Sequence, residues 1–221
     1  MDQPSRAHLS PGGKGKRSLA YHHGDLRAAL LSAARTALEG GSSQAVSLNA
    51  LAKHLGVSQS APYRHFPTRE SLLAALAAEG FAQFQVEIRK AALKVGSEPA
   101  LQRCCLAYLA FSRRNPGLYK LMFASELLHM KDSHNEALQQ SAGLAFHELL
   151  ERVQSAVPNQ TQATAVWIWM TMHGLAMTEI AGLALGPASQ QMAAIDVIEE
   201  MTERLKAYPP GFDNDLLPGK R

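Results

Sequence analysis

The stretch SLNALAKHLGVSQSAPYRHF, residues 47–66, decides the fold of this chain of 221 residues. It begins with Ser47, a residue type that favours the N-cap of a helix. Leu48, Leu51 and Leu55 then recur at the spacing that places side chains on one face of a helix. The first half of the stretch therefore predicts a short helix with one buried face.

Gly56 and Val57 interrupt this first helix. We expect the glycine to end the helix and the valine to fill the turn that follows. Ser58 is a second N-cap candidate, for a helix over residues 59–65 whose outer face carries almost no apolar side chain. Pro62 lies inside that helix, where its missing N–H predicts a short or slightly bent element. Two short helices joined by a tight turn predict a helix-turn-helix.

The second predicted helix has so little apolar surface that it must face either water or a partner. Small and amide side chains at its N-terminal end suit the major groove of DNA, because the backbone can approach closely there and base edges exchange hydrogen bonds. A purely structural helical hairpin is the alternative interpretation of the same pattern.

The wider run from Val46 to Leu73 resembles the DNA-binding domain of the TetR/AcrR family of transcriptional regulators. The matching features are the Leu-Gly-Val-Ser turn, Tyr63 followed three residues later by Phe66, and the charged dipeptide Arg69-Glu70. This resemblance covers residues 21–75. A looser one covers residues 95–208, where Trp169 and the run His173-Gly174-Leu175, together with the opening Tyr21-His-His-Gly-Asp-Leu26, resemble a subgroup with a Trp/His-Gly signature.

The family pattern implies two sets of DNA contacts. The residues that it places near base edges are Gln59, Ser60, Ala61 and Arg64. Those that it places on the phosphate backbone are Ser47, Ser58, Tyr63, His65 and Arg69. Hydroxyl, imidazole and guanidinium groups are the types that hold phosphates, whereas amide and small side chains suit base edges.

Composition and charge agree with a helical DNA-binding protein. The chain is 46% hydrophobic and 19% charged, which excludes a disordered chain, and no long alternation of apolar and polar residues predicts a strand. We therefore expect an all-α fold of about nine helices. Residues 1–75 carry a net charge of +5 and the remainder −2, which suits a phosphate-binding module on a neutral partner domain or is an ordinary solvated surface.

The predicted domain order is a flexible basic arm at 1–20, a helix-turn-helix domain at 21–75, a helical effector-binding and dimerisation domain at 76–208 and a disordered tail at 209–221. The arm either reaches the minor groove of DNA or contacts nothing. Its candidate contacts are Lys14, Lys16, Arg17, His22 and His23.

The body of the chain carries unusual aromatic and methionine bulk, which is either simply core or the lining of a cavity. The family resemblance implies an effector cavity, and such side chains suit an apolar or aromatic ligand. The candidate lining is Tyr108, Phe111, Tyr119, Met122, Phe123, Glu126, Trp169, Met170 and His173. Glu179 is a further polar group that could orient the ligand.

Residues 165–185 form the most apolar segment and approach the length of a membrane span. His173 and Glu179 lie well inside it, so we interpret it as a buried core or interface helix and expect no membrane association. We expect this helix and the last one to pair with their symmetry mates in a four-helix dimer interface. Small residues that would permit close approach are Ala176, Ala181, Gly182 and Ala184.

These observations predict a ligand-responsive transcriptional regulator, with repression as the expected outcome, which binds a palindromic operator in double-stranded DNA as a homodimer and is released by a small apolar or aromatic effector. In the alternative, the DNA-binding role is the same and the body binds a protein partner or no small molecule. Cys104 and Cys105 form no disulfide framework, which predicts a reducing cytoplasm.

An enzyme is the competing class of protein. The nine histidines could suggest a metal, held by His22-His23, His129 and His134, or a haem ligand at His147 or His173. The sequence has none of the catalytic or phosphate-binding motifs that would support such chemistry, so we expect no enzyme activity, no cofactor and no metal.

Overall fold

A computed structural model describes residues 25–40, 46–124, 127, 133–156, 162–183 and 190–207. Every regular element within these ranges is helical, which confirms the predicted all-α fold. The α-helices whose bounds lie within the described ranges are α1 (Leu26–Glu39), α2 (Leu48–Leu55), α3 (Arg69–Leu93), α4 (Ala100–Arg114), α5 (Pro116–Met122), α6 (Ser133–Ala156), α7 (Gln162–Ile180) and α8 (Gln190–Ala207). A short 3-10 helix, Pro62–Arg64, lies between α2 and α3. The predicted arm at 1–20 and tail at 209–221 lie outside the described residues.

The N-terminal head consists of α1, α2, the 3-10 helix and the start of α3. The Asp25 side chain caps α1 by accepting a hydrogen bond from the Ala28 amide at 2.9 Å. The apolar stripes of α1 and α2 face each other, because leucine and alanine recur on one side of each helix. The buried residues of this small core include Leu30, Leu31, Ala34, Leu38, Leu48, Leu51 and Ala52.

Helix α3 joins the head to the body without a break. Its N-terminus is a capping box in which the Thr68 hydroxyl accepts from the Ser71 amide at 3.0 Å, while the Ser71 hydroxyl accepts from the Thr68 amide at 3.2 Å. The helix runs for 25 residues, through the domain boundary that we placed at residue 75, and packs along α4 and α6. Helix α3 therefore belongs to both the head and the body and forms one wall of the body.

Helices α1 and α5 meet where the head contacts the body. Both carboxylate oxygens of Glu39 accept hydrogen bonds at 3.3 Å, from the amides of Gly117 and Leu118. Gly117 lies so close to the α1 backbone that a Cβ there would come within 2.6 Å of the Leu38 carbonyl oxygen. Arg35 adds a link by donating to the Asn115 side-chain oxygen at 2.9 Å.

Helix α7 ends earlier than the sequence pattern predicts. We expected a helix to residue 185, but it stops at Ile180, and Gly182 then adopts a left-handed conformation with φ of 66°. Ala176 is fully buried within its own chain, so its predicted role in close approach between two copies is wrong. Ala184 lies outside the described residues. No helix in the described ranges is long and apolar enough to cross a membrane.

Candidate DNA-binding surface and effector cavity

The turn after α2 has the geometry that a helix-turn-helix requires. Gly56 adopts a left-handed conformation with φ of 69°, which costs glycine little because it has no Cβ. Its amide donates to the Lys53 carbonyl and the Val57 amide donates to the Ala52 carbonyl, the two bonds of a Schellman motif. The sequence prediction of a glycine stop followed by an apolar turn residue therefore describes the local structure correctly.

The segment after this turn is not the α-helix that we predicted for residues 59–65. Residues 59–61 form a turn and only Pro62–Arg64 are helical, in the tighter 3-10 form. Pro62 explains the difference, since it has no N–H to continue an α-helical bond to Ser58 and instead begins a new element as its first residue. Ser58 therefore caps no α-helix, although its carbonyl accepts from the Ala61 amide at 3.0 Å.

Buried groups fix this short segment against the rest of the head. Pro62 and Phe66 are both buried, and the Arg27 guanidinium of α1 lies 5.4 Å from the centre of the Phe66 ring. On the outer side, the Tyr63 hydroxyl donates to the Asn49 side-chain oxygen at 3.3 Å. The segment is short, but it is held on one side by apolar packing and on the other by a link to α2.

Most of the nine predicted DNA contacts are accessible. Seven of them are exposed, namely Gln59, Ser60, Arg64, Ser47, Ser58, Tyr63 and His65, and Ala61 and Arg69 are half-buried. The Arg69 Nε donates to the Val46 carbonyl at 2.8 Å, so its guanidinium already braces the start of α2. Ser47 lies at the N-cap position of α2 without a side-chain capping bond.

Two basic residues on this side of the head were missed as candidates. Lys53 and His54 are exposed in the last turn of α2, next to the Gly56 turn. The sequence pattern could have indicated them, because both fall between the buried positions of that helix. Asn49 was also missed, and it follows from the same periodicity.

The body contains an apolar cavity of about 410 Å³. Its walls come from α3, α4, α6, α7 and the residue that follows α5. The lining is Phe81, Phe84, Ile88, Tyr108, Phe123, Ala142, Gly143, Ala145, Phe146, Leu149, Val166 and Trp169. The volume lies within the range of roughly 300–1,000 Å³ that is typical of small-molecule sites. None of these described lining residues carries a charge.

The predicted pocket residues fall into three groups around this cavity. Tyr108, Phe123 and Trp169 line it. Phe111, Tyr119 and Met122 are fully buried but stand behind the lining, and His173 lies beside the rings of Trp169 and Phe123. Met170 is 62% exposed and points away from the cavity, and Glu126 lies outside the described residues.

A chain of hydrogen bonds lies at one edge of the cavity. The Tyr108 and Tyr119 hydroxyl oxygens are 2.8 Å apart, and the Tyr119 hydroxyl lies 2.8 Å from Nδ1 of His173. Burial raises the pKa of both tyrosines, although hydrogen bonds to Tyr119 and Trp169 act against this at Tyr108. Burial lowers the pKa of His173, so that its ring is neutral at pH 7. The whole chain is therefore uncharged.

Two ion pairs join the helices that form the cavity walls. Arg113 holds Glu179 with two bonds of 2.7 and 2.6 Å, which raises the pKa of the guanidinium, so Glu179 braces α4 against α7. We expected Glu179 to orient a ligand, and this expectation is wrong because its carboxylate faces Arg113. Similarly, the buried Glu148 accepts from Arg89 at 2.9 Å.

The wall from α6 is the part of the cavity that sequence reasoning missed. Ala142, Gly143, Phe146 and Leu149 recur at helical spacing, but so do many core residues of the other helices. Only the packing of α6 across α3 and α7 makes these positions a wall. Phe81, Phe84 and Ile88 of α3 also recur at helical spacing, and this pattern does not distinguish a filled core from a cavity.

Comparisons with known proteins agree with this architecture. Residues 30–76 match the family model "Bacterial regulatory proteins, tetR family", and residues 101–205 match "Tetracyclin repressor-like, C-terminal domain". The nucleoid occlusion factor SlmA of Shewanella sediminis is 28% identical over 135 residues, which span 60% of this chain and 66% of that relative. The match thus covers slightly less than two thirds of the relative's length.

Two solved structures share the fold. A protein of unknown function from Rhodococcus sp. RHA1 has a TM-score of 0.71 and 24% identity, covering 87% of this chain and 100% of that one. A bacterial regulatory protein in the tetR family from Rhodococcus RHA1 has a TM-score of 0.60 and 18% identity, covering 80% and 95%.

The fold and the matched domains define a DNA-binding helix-turn-helix regulator with a helical C-terminal domain. The chain belongs to the TetR family of transcriptional regulators, whose members are not enzymes.

Proposed function

We propose that this regulator represses transcription by binding a palindromic operator as a homodimer, and that a small apolar or aromatic effector releases it. The observation that carries the proposal is the apolar cavity of about 410 Å³ in the body, whose α3 wall continues directly into the head. A ligand that displaces this wall can change the position of the DNA-binding surface. This requires that the ligand bind the protein with different affinity in the two arrangements of α3.

The first part of the proposal concerns base contacts. Gln59 is exposed at the start of the recognition segment, where an amide can pair with a base edge in the major groove. We expect Gln59→Ala to change operator preference at one or two positions in a site-selection experiment, by about 1–3 kcal/mol per base pair. An identical preference profile would remove Gln59 from base readout.

Phosphate contacts are tested by a change that leaves the ring in place. Tyr63 is 45% exposed, and Tyr63→Phe removes only the hydroxyl that bonds Asn49. We expect the variant to bind every DNA sequence about fivefold more weakly, because one hydrogen bond contributes on the order of 1 kcal/mol. Loss confined to one operator sequence would contradict a phosphate role.

The dimer proposal rests on an exposed apolar face of α7. Trp167 is 45% exposed and Met170 is 62% exposed, and with the exposed Gly174 they share one side of the helix. A second copy of the chain is the occupant that we propose, because two heads one helical turn of DNA apart, about 34–36 Å, read a palindrome. Exposed apolar bulk on one helix face is typical of such interfaces.

Met170→Glu tests this interface, since the Met170 side chain is 62% exposed in the single chain. We expect the variant to be monomeric in light scattering coupled to size-exclusion chromatography. Val86→Glu is the matched control, because Val86 is 46% exposed on α3. A Met170→Glu protein with the same mass as the wild type would contradict the proposed interface.

The effector site is tested by filling the cavity. Gly143 lines the cavity, and a Cβ built there meets no atom within 4 Å, so a side chain can begin at this position and Gly143→Leu adds bulk at the cavity wall. We expect the variant to keep operator affinity and to lose release by the effector. Leu144→Phe is the control, because Leu144 is 49% exposed on the same helix. Release that is unchanged in Gly143→Leu would favour the alternative, in which the body binds a protein or no ligand.

The promoter next to the protein's own gene supplies the DNA for these measurements. A palindrome there that shifts with the purified protein in a gel would give the operator and its half-site spacing. Failure to bind any such site would contradict the operator proposal. We also propose that the chain belongs to the subgroup with the Trp/His-Gly signature, in which Trp169, a residue of the cavity lining, stacks on His173 with ring centres 6.0 Å apart.

A further inference from the structure

The polar groups of the cavity are few and lie together. Among the described lining residues, only Tyr108 and Trp169 have a polar side-chain atom. The Tyr108 hydroxyl is bonded to the Tyr119 hydroxyl, with the two oxygens 2.8 Å apart. A ligand in the cavity therefore meets polar chemistry at one place and hydrocarbon everywhere else.

The hydrogen atoms of this chain can be arranged in two ways. In the first arrangement Tyr108 donates to Tyr119, and Tyr119 donates to Nδ1 of His173. The His173 proton is then on Nε2, and the Tyr108 oxygen keeps a lone pair that can accept.

The second arrangement reverses the chain. Nδ1 of His173 then carries the proton and donates to Tyr119, which donates to Tyr108. The Tyr108 hydroxyl then has a proton that neither Tyr119 nor His173 accepts. Each arrangement leaves one donor of these three residues without a partner among them, the Nε2–H of His173 in the first and the Tyr108 O–H in the second. The Tyr108 hydroxyl can therefore offer a ligand either an acceptor or a donor.

Charge is excluded on independent grounds. No described lining residue is acidic or basic, and the nearby Arg113 and Arg89 are bound to Glu179 and Glu148. A carboxylate or an ammonium group in the cavity would thus be buried without a counter-ion, which is strongly unfavourable. The effector must be uncharged in the part that enters.

Aromatic rings dominate the walls. Phe84 meets Tyr108 edge to face with ring centres 4.8 Å apart, and Phe146 meets Trp169 in the same way at 6.1 Å. Such rings offer both edges and faces, which favour another aromatic ring over a saturated one of equal size.

We propose that the effector is an uncharged aromatic molecule with one hydroxyl group, which forms a hydrogen bond with the Tyr108 hydroxyl while its rings contact the aromatic wall. This inference rests on the proposed effector function and narrows its ligand class. Tyr108 is the specificity-determining residue, and Tyr119 and His173 position its hydroxyl.

The test is a calorimetric comparison of four matched probes with the full chain at pH 7: naphthalene, 2-naphthol, 2-naphthoate and decahydro-2-naphthol. We expect 2-naphthol to bind about fivefold more tightly than naphthalene, because it gains one hydrogen bond. 2-Naphthol should also bind about fivefold more tightly than decahydro-2-naphthol, because its aromatic rings pair with those of the wall. The carboxylate should bind at least about a hundredfold more weakly than 2-naphthol.

Tyr108→Phe adds a second measurement. We expect this variant to bind naphthalene as the wild type does and to lose the preference for 2-naphthol. A carboxylate that binds as well as 2-naphthol, or a preference for 2-naphthol that survives in a folded Tyr108→Phe protein, would overturn the inference and leave the effector cavity intact. If no probe binds and Gly143→Leu does not alter the response, the effector function fails together with the inference.

Discussion

Gly117→Ala tests the contact between the DNA-binding head and the body. A Cβ at this position would lie 2.6 Å from the Leu38 carbonyl oxygen, a backbone atom that cannot rotate away. Relief to 3.4 Å requires that α5 and α1 separate by roughly 0.8 Å. The two 3.3 Å bonds from Glu39 to the α5 amides would then exceed normal hydrogen-bond length.

The expected cost follows from opposing effects. Overpacking costs about 1–3 kcal/mol, and replacing glycine by alanine in a helix returns up to about 1 kcal/mol. A net loss of about 1–2 kcal/mol lowers Tm by roughly 2–8 °C in a chain of this size. The assay is thermal unfolding followed by far-UV circular dichroism, at one fixed protein concentration because dimerisation affects Tm.

Gly80→Ala is the matched control. A Cβ there would meet Met122 Sδ at 2.8 Å, Met122 Cγ at 2.9 Å and Leu118 Cδ1 at 3.1 Å, which are side-chain atoms rather than backbone. Methionine can adopt another rotamer, so we expect a smaller loss than for Gly117→Ala. The reasoning is refuted if Gly80→Ala is the more damaging change, or if Gly117→Ala leaves Tm unchanged.

Three further predictions concern caps and titrating groups. Thr68→Ala removes half of a capping box and should lower the free energy of unfolding by about 1 kcal/mol, measured by urea titration. Ser47 makes no capping bond, so Ser47→Ala should lower it by less than about 0.5 kcal/mol in the same titration. Equal losses in the two variants would contradict the capping argument. Burial lowers the pKa of His173 below its ordinary 6.5, so the contribution of this residue to stability is present above that pH and is lost as pH falls. His173→Asn should therefore flatten the decline in the free energy of unfolding between about pH 7 and about pH 5. An unchanged slope would contradict this role of His173. Burial raises the pKa of Cys104 to about 11 and of Cys105 to about 12. Iodoacetamide at about pH 8 should therefore label neither thiol until urea unfolds the chain. Labelling of either cysteine in the native protein, detected by mass spectrometry, would contradict this prediction.

The DNA-binding head shows which structural features can be predicted from the pattern of neighbouring residues. The turn at Gly56 and Val57 was predicted from residue type alone, because a left-handed residue after a short helix is a local requirement that glycine meets. The same reasoning failed for residues 59–65, where a helical pattern was given more weight than the missing amide of Pro62. The candidate DNA contacts of this segment stay predictions.

The cavity shows the opposite case. Helix α7 is apolar on almost every side, so no periodicity indicates that Trp169 faces inward and its neighbour Met170 faces outward. Likewise, nothing local distinguishes Glu179 as a ligand contact from Glu179 as the partner of Arg113, which lies 66 positions away.

The sequence by itself therefore determined the helical class, the position of the helix-turn-helix and the Gly56 stop, because each depends on the spacing and conformational limits of neighbouring residues. Only the tertiary structure decided which aromatic side chains line the cavity, how Tyr108, Tyr119 and His173 join, and how Gly117 brings α5 against α1. These features depend on contacts between residues distant in the chain, and their geometry is set by the packing of whole helices.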